Sequence, residues 1–225
     1  MSNLGQNMEQ TEQPSQRSGW RLWINRRSLI VGGFGYIAGF ATLPLAVILW
    51  VNTPEVRQEK FLEGVLRDCP GCDLSNEDLS FAELEEADLS KANLEGAILG
   101  AAKLSSADLS GANLRFAVLR QAELYNTVFD GADLTSAEFR CGAGTCTGLS
   151  GTSFRNANLT RADFRVVGFT PVGEEGLEGV DFTGADLTEA SFESASLRGA
   201  LMEQAKFCRT VMPDGSLSNR DCEAE

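Results

Sequence analysis

Between Leu74 and Phe207 a large apolar residue returns every fifth position, and a small residue, usually alanine, stands two places before it. The centres run from Leu74, Leu79, Leu84 and Leu89 to Leu134 and Phe139, and after Gly144 they resume at Leu149, Phe154, Leu159, Phe164 and Phe169. Past Pro171 the phase slips, and the beat continues at Leu177, Phe182, Leu187, Phe192, Leu197, Met202 and Phe207. On an α-helix five steps of about 100° would scatter these residues around the rod, and on a strand an odd period would send them to alternate faces. They share one interior only if the chain turns at every repeat. The pattern therefore predicts a solenoid whose units bury their apolar groups by stacking on neighbours.

Segments such as Ala82-Glu83-Leu84, Ala87-Asp88-Leu89, Ala92-Asn93-Leu94, Ala112-Asn113-Leu114, Ala132-Asp133-Leu134, Ala157-Asn158-Leu159 and Ala185-Asp186-Leu187 resemble the A(D/N)LXX units of pentapeptide repeat proteins. The resemblance implies an all-β solenoid, a right-handed quadrilateral parallel β-helix with four units to each coil. The centre and the small residue two before it would face inward and the other three outward. The frequent Asp or Asn before each centre suits turns and exposure. A uniform coil of this kind stacks Leu74, Leu94, Leu114, Leu134 and Phe154 in one internal ladder.

Residues 1–28 read as a disordered cytoplasmic tail with a basic, aromatic end, Trp20 to Arg27. From Leu29 to Val51 no residue is charged, and a helix of that length, about 34 Å, crosses the hydrocarbon core of a bilayer. Arg17, Arg21, Arg26 and Arg27 precede this span, whereas only Arg57 and Lys60 closely follow it. The positive-inside rule then predicts a single-pass membrane protein with its N-terminus cytoplasmic and its repeats periplasmic or thylakoid-lumenal. Arg26-Arg27-Ser28-Leu29-Ile30 looks like a twin-arginine export signal, which would send the domain the same way. Residues 52–68 predict a linker and cap helix, with Phe61, Leu62, Val65 and Leu66 forming an apolar stripe over the first coil. The β-helix follows over 69–210 with a loop at 170–176, and 211–225 closes the other end. The piece from Phe207 to Gly215 resembles the closing segment of pentapeptide proteins abundant in cyanobacteria.

Six cysteines fall into local groups, Cys69 with Cys72, Cys141 with Cys146, and Cys208 with Cys222. In an oxidising compartment these are candidate disulfides; free thiols and a redox-sensing thiol module are the alternatives. The chain has no histidine, and the lone CxxC lacks the second half of a usual zinc site. No nucleophile has a partner base, no glycine-rich phosphate loop is present, and carboxylate pairs such as Glu85 and Glu86 read as solvated faces. The sequence thus predicts no enzyme, no catalytic or metal-binding residue and no cofactor.

The formal net charge is −13, and residues 52–225 hold fifteen Lys or Arg against thirty Asp or Glu. An acidic solenoid repels nucleic acid and offers its sides to protein. The expected role is a membrane-tethered scaffold for a photosynthetic or envelope membrane complex. Leu29 to Val51 would sit in the lipid, and the loop residues Pro171, Val172, Gly173, Glu174 and Glu175 are candidate partner contacts because they interrupt a uniform face. The alternative, drawn from the family resemblance, is a mimic of duplex DNA that binds a topoisomerase, which a domain exported from the cytoplasm would not meet.

Overall fold

Each repeat makes one short parallel bridge and then turns. The residue before each centre pairs with the equivalent residue one coil on, as Asp73 with Asn93, Asp78 with Ile98, Glu83 with Lys103 and Asp88 with Asp108. Four bridges at five-residue steps close one coil, so the ladder has four sides. The structure, a computed structural model, describes residues 58, 61, 67–140, 147–167 and 177–222. The expected tail and span at 1–51, the stripe residues Leu62, Val65 and Leu66, Cys141, Cys146 and the 170–176 loop lie outside the described residues. Among those described, no helix is long and apolar enough to cross a membrane.

Within the coils the turn after a centre is closed by a backbone bond, such as Ala92 N–H to Leu89 O at 3.1 Å, and each coil is tied to the next by pairs such as Leu94 N–H to Asn113 O at 2.7 Å. The second residue after the centre takes the left-handed conformation throughout, with φ near 60° even at non-glycine positions. The Asp or Asn before the centre has a local function as well. Its side chain accepts the N–H two residues on, as Asp73 does from Ser75 (3.2 Å) and Asp108 from Ser110 (2.8 Å), which fixes the chain as it enters the corner.

Side 1 stacks Leu74, Leu94, Leu114, Leu134, Leu159, Leu187 and Phe207, and side 2 stacks Leu79, Leu99, Leu119, Phe139, Phe164 and Phe192. Side 3 carries Leu84, Leu104, Leu124, Leu149, Leu177 and Leu197, and side 4 carries Leu89, Leu109, Phe129, Phe154, Phe182 and Met202. The alanines between them are buried with them. Where threonine replaces alanine at the small position, its hydroxyl donates to a carbonyl of the coil before: Thr127 to Leu104 O (2.7 Å), Thr152 to Leu124 O (2.6 Å), Thr210 to Leu187 O (2.7 Å).

The ladder corrects the register expected from the repeat. Phe154 does not stand over Leu134; Leu159 does, and Phe154 stacks on Phe129 at 5.1 Å. The bridges lengthen from a 20-residue step to 25 across 141–146, for example Glu123 with Gly148, and to 28 across 168–176, for example Ser153 with Asp181. The place over Leu124 that a uniform coil gives to Gly144 is filled by Leu149, whose N–H···O neighbours continue the ladder. Glycine there would leave a leucine-sized void, a defect that costs about 2–5 kcal/mol in ordinary cores. Likewise Leu177, not Phe169, follows Leu149 on side 3. Both interruptions leave from the corner between sides 2 and 3, in successive coils.

The ends are closed differently. Gln58 and Phe61 are helical, and Phe61 is buried with the core. At the far end β1, Thr210–Val211, pairs antiparallel with β2, Leu217–Ser218, around a turn at Gly215. Val211 still bridges Ser191, so the hairpin grows out of the last coil.

Candidate functional site

The outward residues differ among the sides, and side 2 carries an apolar stretch in its first coils. Between Asp78 and Arg120 its outward positions are Ser80, Phe81, Ile98, Gly100, Ala101 and Val118, none of them charged. Phe81 is 74% exposed, Ile98 43% and Phe116, on the corner with side 1, 53%. Gly100 is not required by sterics, since an added Cβ would meet only Ser80 Oγ at 3.8 Å and Arg120 O at 3.9 Å. Its lack of a side chain leaves that position of side 2 flat between Ser80 and Arg120.

Phe81 and Phe116 are placed at a backbone cost. Both occupy the left-handed position, at φ 60° and 59°, where a residue with a Cβ is disfavoured by about 1 kcal/mol and glycine or asparagine is at ease. Elsewhere the same position holds Gly, Ala, Asn, Ser, Lys, Glu, Gln or Arg; among the described residues the only other large apolar one there is Val166, again on the edge of side 2. None of these three contributes to the core. Arg115 lies over the Phe116 ring at 5.5 Å, but otherwise the rings face solvent. Several exposed apolar groups on one side of a protein mark a candidate interaction surface.

Beyond the apolar coils side 2 turns ionic. Arg120, Arg140 and Arg165 succeed one another at equivalent positions, with Glu138 bound by Arg120 and within 4.0 Å of Arg140, and Asp163 bound by Arg165 at 2.7 Å. Burial would raise the Asp163 carboxyl, but the bonds and charge of Arg165 outweigh it and hold the group below its usual range. Charge varies likewise along the axis. Residues 67–114 hold three Lys or Arg against ten Asp or Glu, whereas 115–167 hold six against five.

The cysteines mark the two ends. Cys69 takes a centre position, stacked on Leu89, and Cys72 takes the small position before Leu74; both are fully buried and joined as a disulfide. Cys208 is joined to Cys222. Near that bond Phe207 N–H donates to Asp221 Oδ2 (2.9 Å), Asp221 N–H to Phe207 O (2.9 Å) and Arg209 N–H to Asn219 Oδ1 (3.1 Å), while Arg220 covers the Phe207 ring at 4.5 Å. Cys141, Cys146 and the residues from Pro171 to Glu175 lie outside the described part of the chain. Among the described residues no group of His, Cys, Asp and Glu could hold a metal ion.

The apolar face is not among the candidates that the sequence suggests, because a five-residue period does not reveal which units share a side. Writing the chain in rows of twenty would have aligned Asp78, Ile98 and Val118 and exposed the gap in charge.

The profile described as pentapeptide repeats matches the chain in eight copies, over residues 68–100, 102–140, 149–165 and 177–212. No curated protein matches it. Among solved structures it is similar to HetL, a pentapeptide repeat protein involved in heterocyst differentiation regulation in the cyanobacterium Nostoc, at 29% identity over 67% of this chain and 76% of that one, with a TM-score of 0.44. It is also similar to QnrB1, a plasmid-mediated fluoroquinolone resistance protein (25% identity, 60% of this chain and 69% of that one, TM-score 0.38). A third is a pentapeptide repeat protein of the Arabidopsis thaliana thylakoid lumen (27% identity, 57% and 70%, TM-score 0.25). With the profile covering more than half of its residues, each copy falling on the four-sided ladder, the chain belongs to the pentapeptide repeat family.

Proposed function

We propose that the protein is a non-enzymatic scaffold, tethered to a membrane by residues 29–51, whose β-helix binds another protein of a photosynthetic or envelope complex. The observation that carries this reading is the pair Phe81 and Phe116, exposed, conformationally disfavoured and set at the edges of the uncharged stretch of side 2 between Asp78 and Arg120. The N-terminus lies in the cytoplasm, following the arginines before residue 29, and the repeats lie in the periplasm or thylakoid lumen. Disulfides at both ends of the ladder suit such an oxidising space. Imitation of duplex DNA is the weaker reading, since residues 115–167 are not acidic and would interrupt a continuous negative surface.

Protease added to sealed, right-side-out membranes or to inverted ones tests the arrangement. Digestion of the repeats only from the side opposite the cytoplasm is the expected result. Digestion from the cytoplasmic side, or release of the full chain by alkaline carbonate, overturns the tether and its orientation.

A further inference from the structure

We propose that side 2 seats an amphipathic α-helix of another protein, its apolar stripe on Ile98, Phe116 and Val118 and its acidic end beside Arg120, Arg140 and Arg165. The inference rests on the scaffold reading and names the kind of partner that this side fits.

An extended peptide fits poorly there. Along side 2 the backbone groups are already engaged between coils, as in Leu79 N–H to Ile98 O, Ile98 N–H to Glu77 O and Leu99 N–H to Val118 O. A strand laid across it would leave its own N–H and C=O groups without partners, whereas a helix satisfies its backbone internally and brings a stripe of side chains. The dimensions agree. From the coil of Leu79 to the coil of Phe164 there are four coil spacings, about 19 Å at 4.8 Å each, which a helix of about 13 residues spans.

The polarity of the partner follows from the side's own order. Its outward residues after Asp78, from Ser80 to Val118, are uncharged, and from Arg120 onward it carries three arginines against Glu138 and Asp163, so a complementary stripe is apolar first and acidic afterwards. A second copy of this chain is the poorer match. Packed side 2 to side 2 with axes parallel, it would set Arg120, Arg140 and Arg165 against their own copies. With axes antiparallel it would set them against Phe81 and Ile98.

The test uses the full chain in detergent micelles and two labelled helical peptides of about 14 residues, with leucines on one stripe and either glutamates or lysines at one end. Fluorescence anisotropy should show the glutamate peptide binding about tenfold more tightly than the lysine peptide. Phe81→Asn with Phe116→Asn should weaken it by about tenfold or more without lowering the melting temperature, because asparagine suits the left-handed position. Arg120→Glu with Arg140→Glu should reverse the order of the two peptides. Equal affinity for both peptides, or binding indifferent to the asparagine pair, overturns the inference. Cross-linking in native membranes separates this failure from that of the scaffold reading. A wild-type adduct with another protein that survives the asparagine pair leaves the scaffold standing and removes the helix. No adduct with wild-type protein removes both.

Discussion

The leucine coils before Leu124 and the phenylalanine coils after it are built on one plan and fill it in opposite ways. In the first, all four sides carry leucine, mostly beside alanine, the step is uniformly 20 residues and the surface is acidic. In the second, sides 2 and 4, which face each other across the core, carry phenylalanine while sides 1 and 3 keep mostly leucine. Phe129, Phe154 and Phe182 stack at 5.1 and 5.2 Å with rings nearly parallel, Phe139, Phe164 and Phe192 at 4.5 and 5.0 Å, and rings of the two columns meet edge to face at 5.6–6.5 Å. Both interruptions of the coil fall in this second region. Holding the ends of an added loop together costs chain entropy, and the aromatic columns supply more apolar contact on the coils that bear it. Uniformity in one region and larger side chains in the other are two ways to keep the same four-sided section.

The largest expected effect comes from the columns. Phe154→Ala, which removes a ring stacked on two neighbours and edged by two more, should destabilise the β-helix by about 4 kcal/mol, against about 3 kcal/mol for Leu109→Ala. Equal losses in denaturant titration would mean that the aromatic order adds nothing to area.

Next comes the end of the phenylalanine region. A bond between Cys208 and Cys222, 14 residues apart, restricts the unfolded chain by roughly 3 kcal/mol. Cys222→Ser should therefore make the last coil the first to exchange its amides. Intact-mass analysis before reduction should find neither thiol open to alkylation; full alkylation would remove the bond and weaken the assigned compartment.

In the leucine region two nearby glycines should part company. Gly96 has φ +68°, and a Cβ there would lie 2.6 Å from Asn76 Oδ1, so Gly96→Ala should cost about 1 kcal/mol or slightly more. Gly100→Ala, with its nearest neighbour at 3.8 Å, should stay within about 0.5 kcal/mol. Thermal melts of the pair would show whether flatness at Gly100 is structural after all.

The smallest effect is acid sensitivity, expected in both regions for different reasons. Asp73 and Asp78 are lowered by bonds from Ser75 and Ser80, whereas Asp163 is lowered despite burial by Arg165. A carboxyl depressed in the folded protein contributes stability that is present above its unfolded pKa and is lost as pH falls through the folded one. Melting temperature should therefore hold above pH of about 4 and decline below it, and Asp163→Asn should reduce the decline.

The inward and outward positions were legible in the sequence, because a centre and a small residue at fixed offsets imply a turn at every unit. The register after Arg140 was not. Gly144 was visible as the odd centre, yet period five is satisfied whether that unit stacks or steps aside, and only the partner of Leu124 decides. The apolar side was hidden for the same reason: Phe81, Ile98 and Phe116 are separated by ordinary polar units and meet only when the coil is closed. Their left-handed backbone leaves no sequence mark either, since lysine, glutamate and serine occupy it too.

The shared corner of the two interruptions has a consequence for how such a chain tolerates change. A solenoid with four units per revolution behaves as an indexed screw: five added residues retained in the wall would rotate everything downstream by a quarter revolution, laying Phe154 on Leu134 and breaking both aromatic columns. The steps of 25 and 28 residues instead keep the azimuth of every later unit. Length can thus drift at that corner while the arginines of side 2 stay in line with Ile98 and Val118, so side 2 is insulated from insertions that elsewhere would carry half of it around to another face.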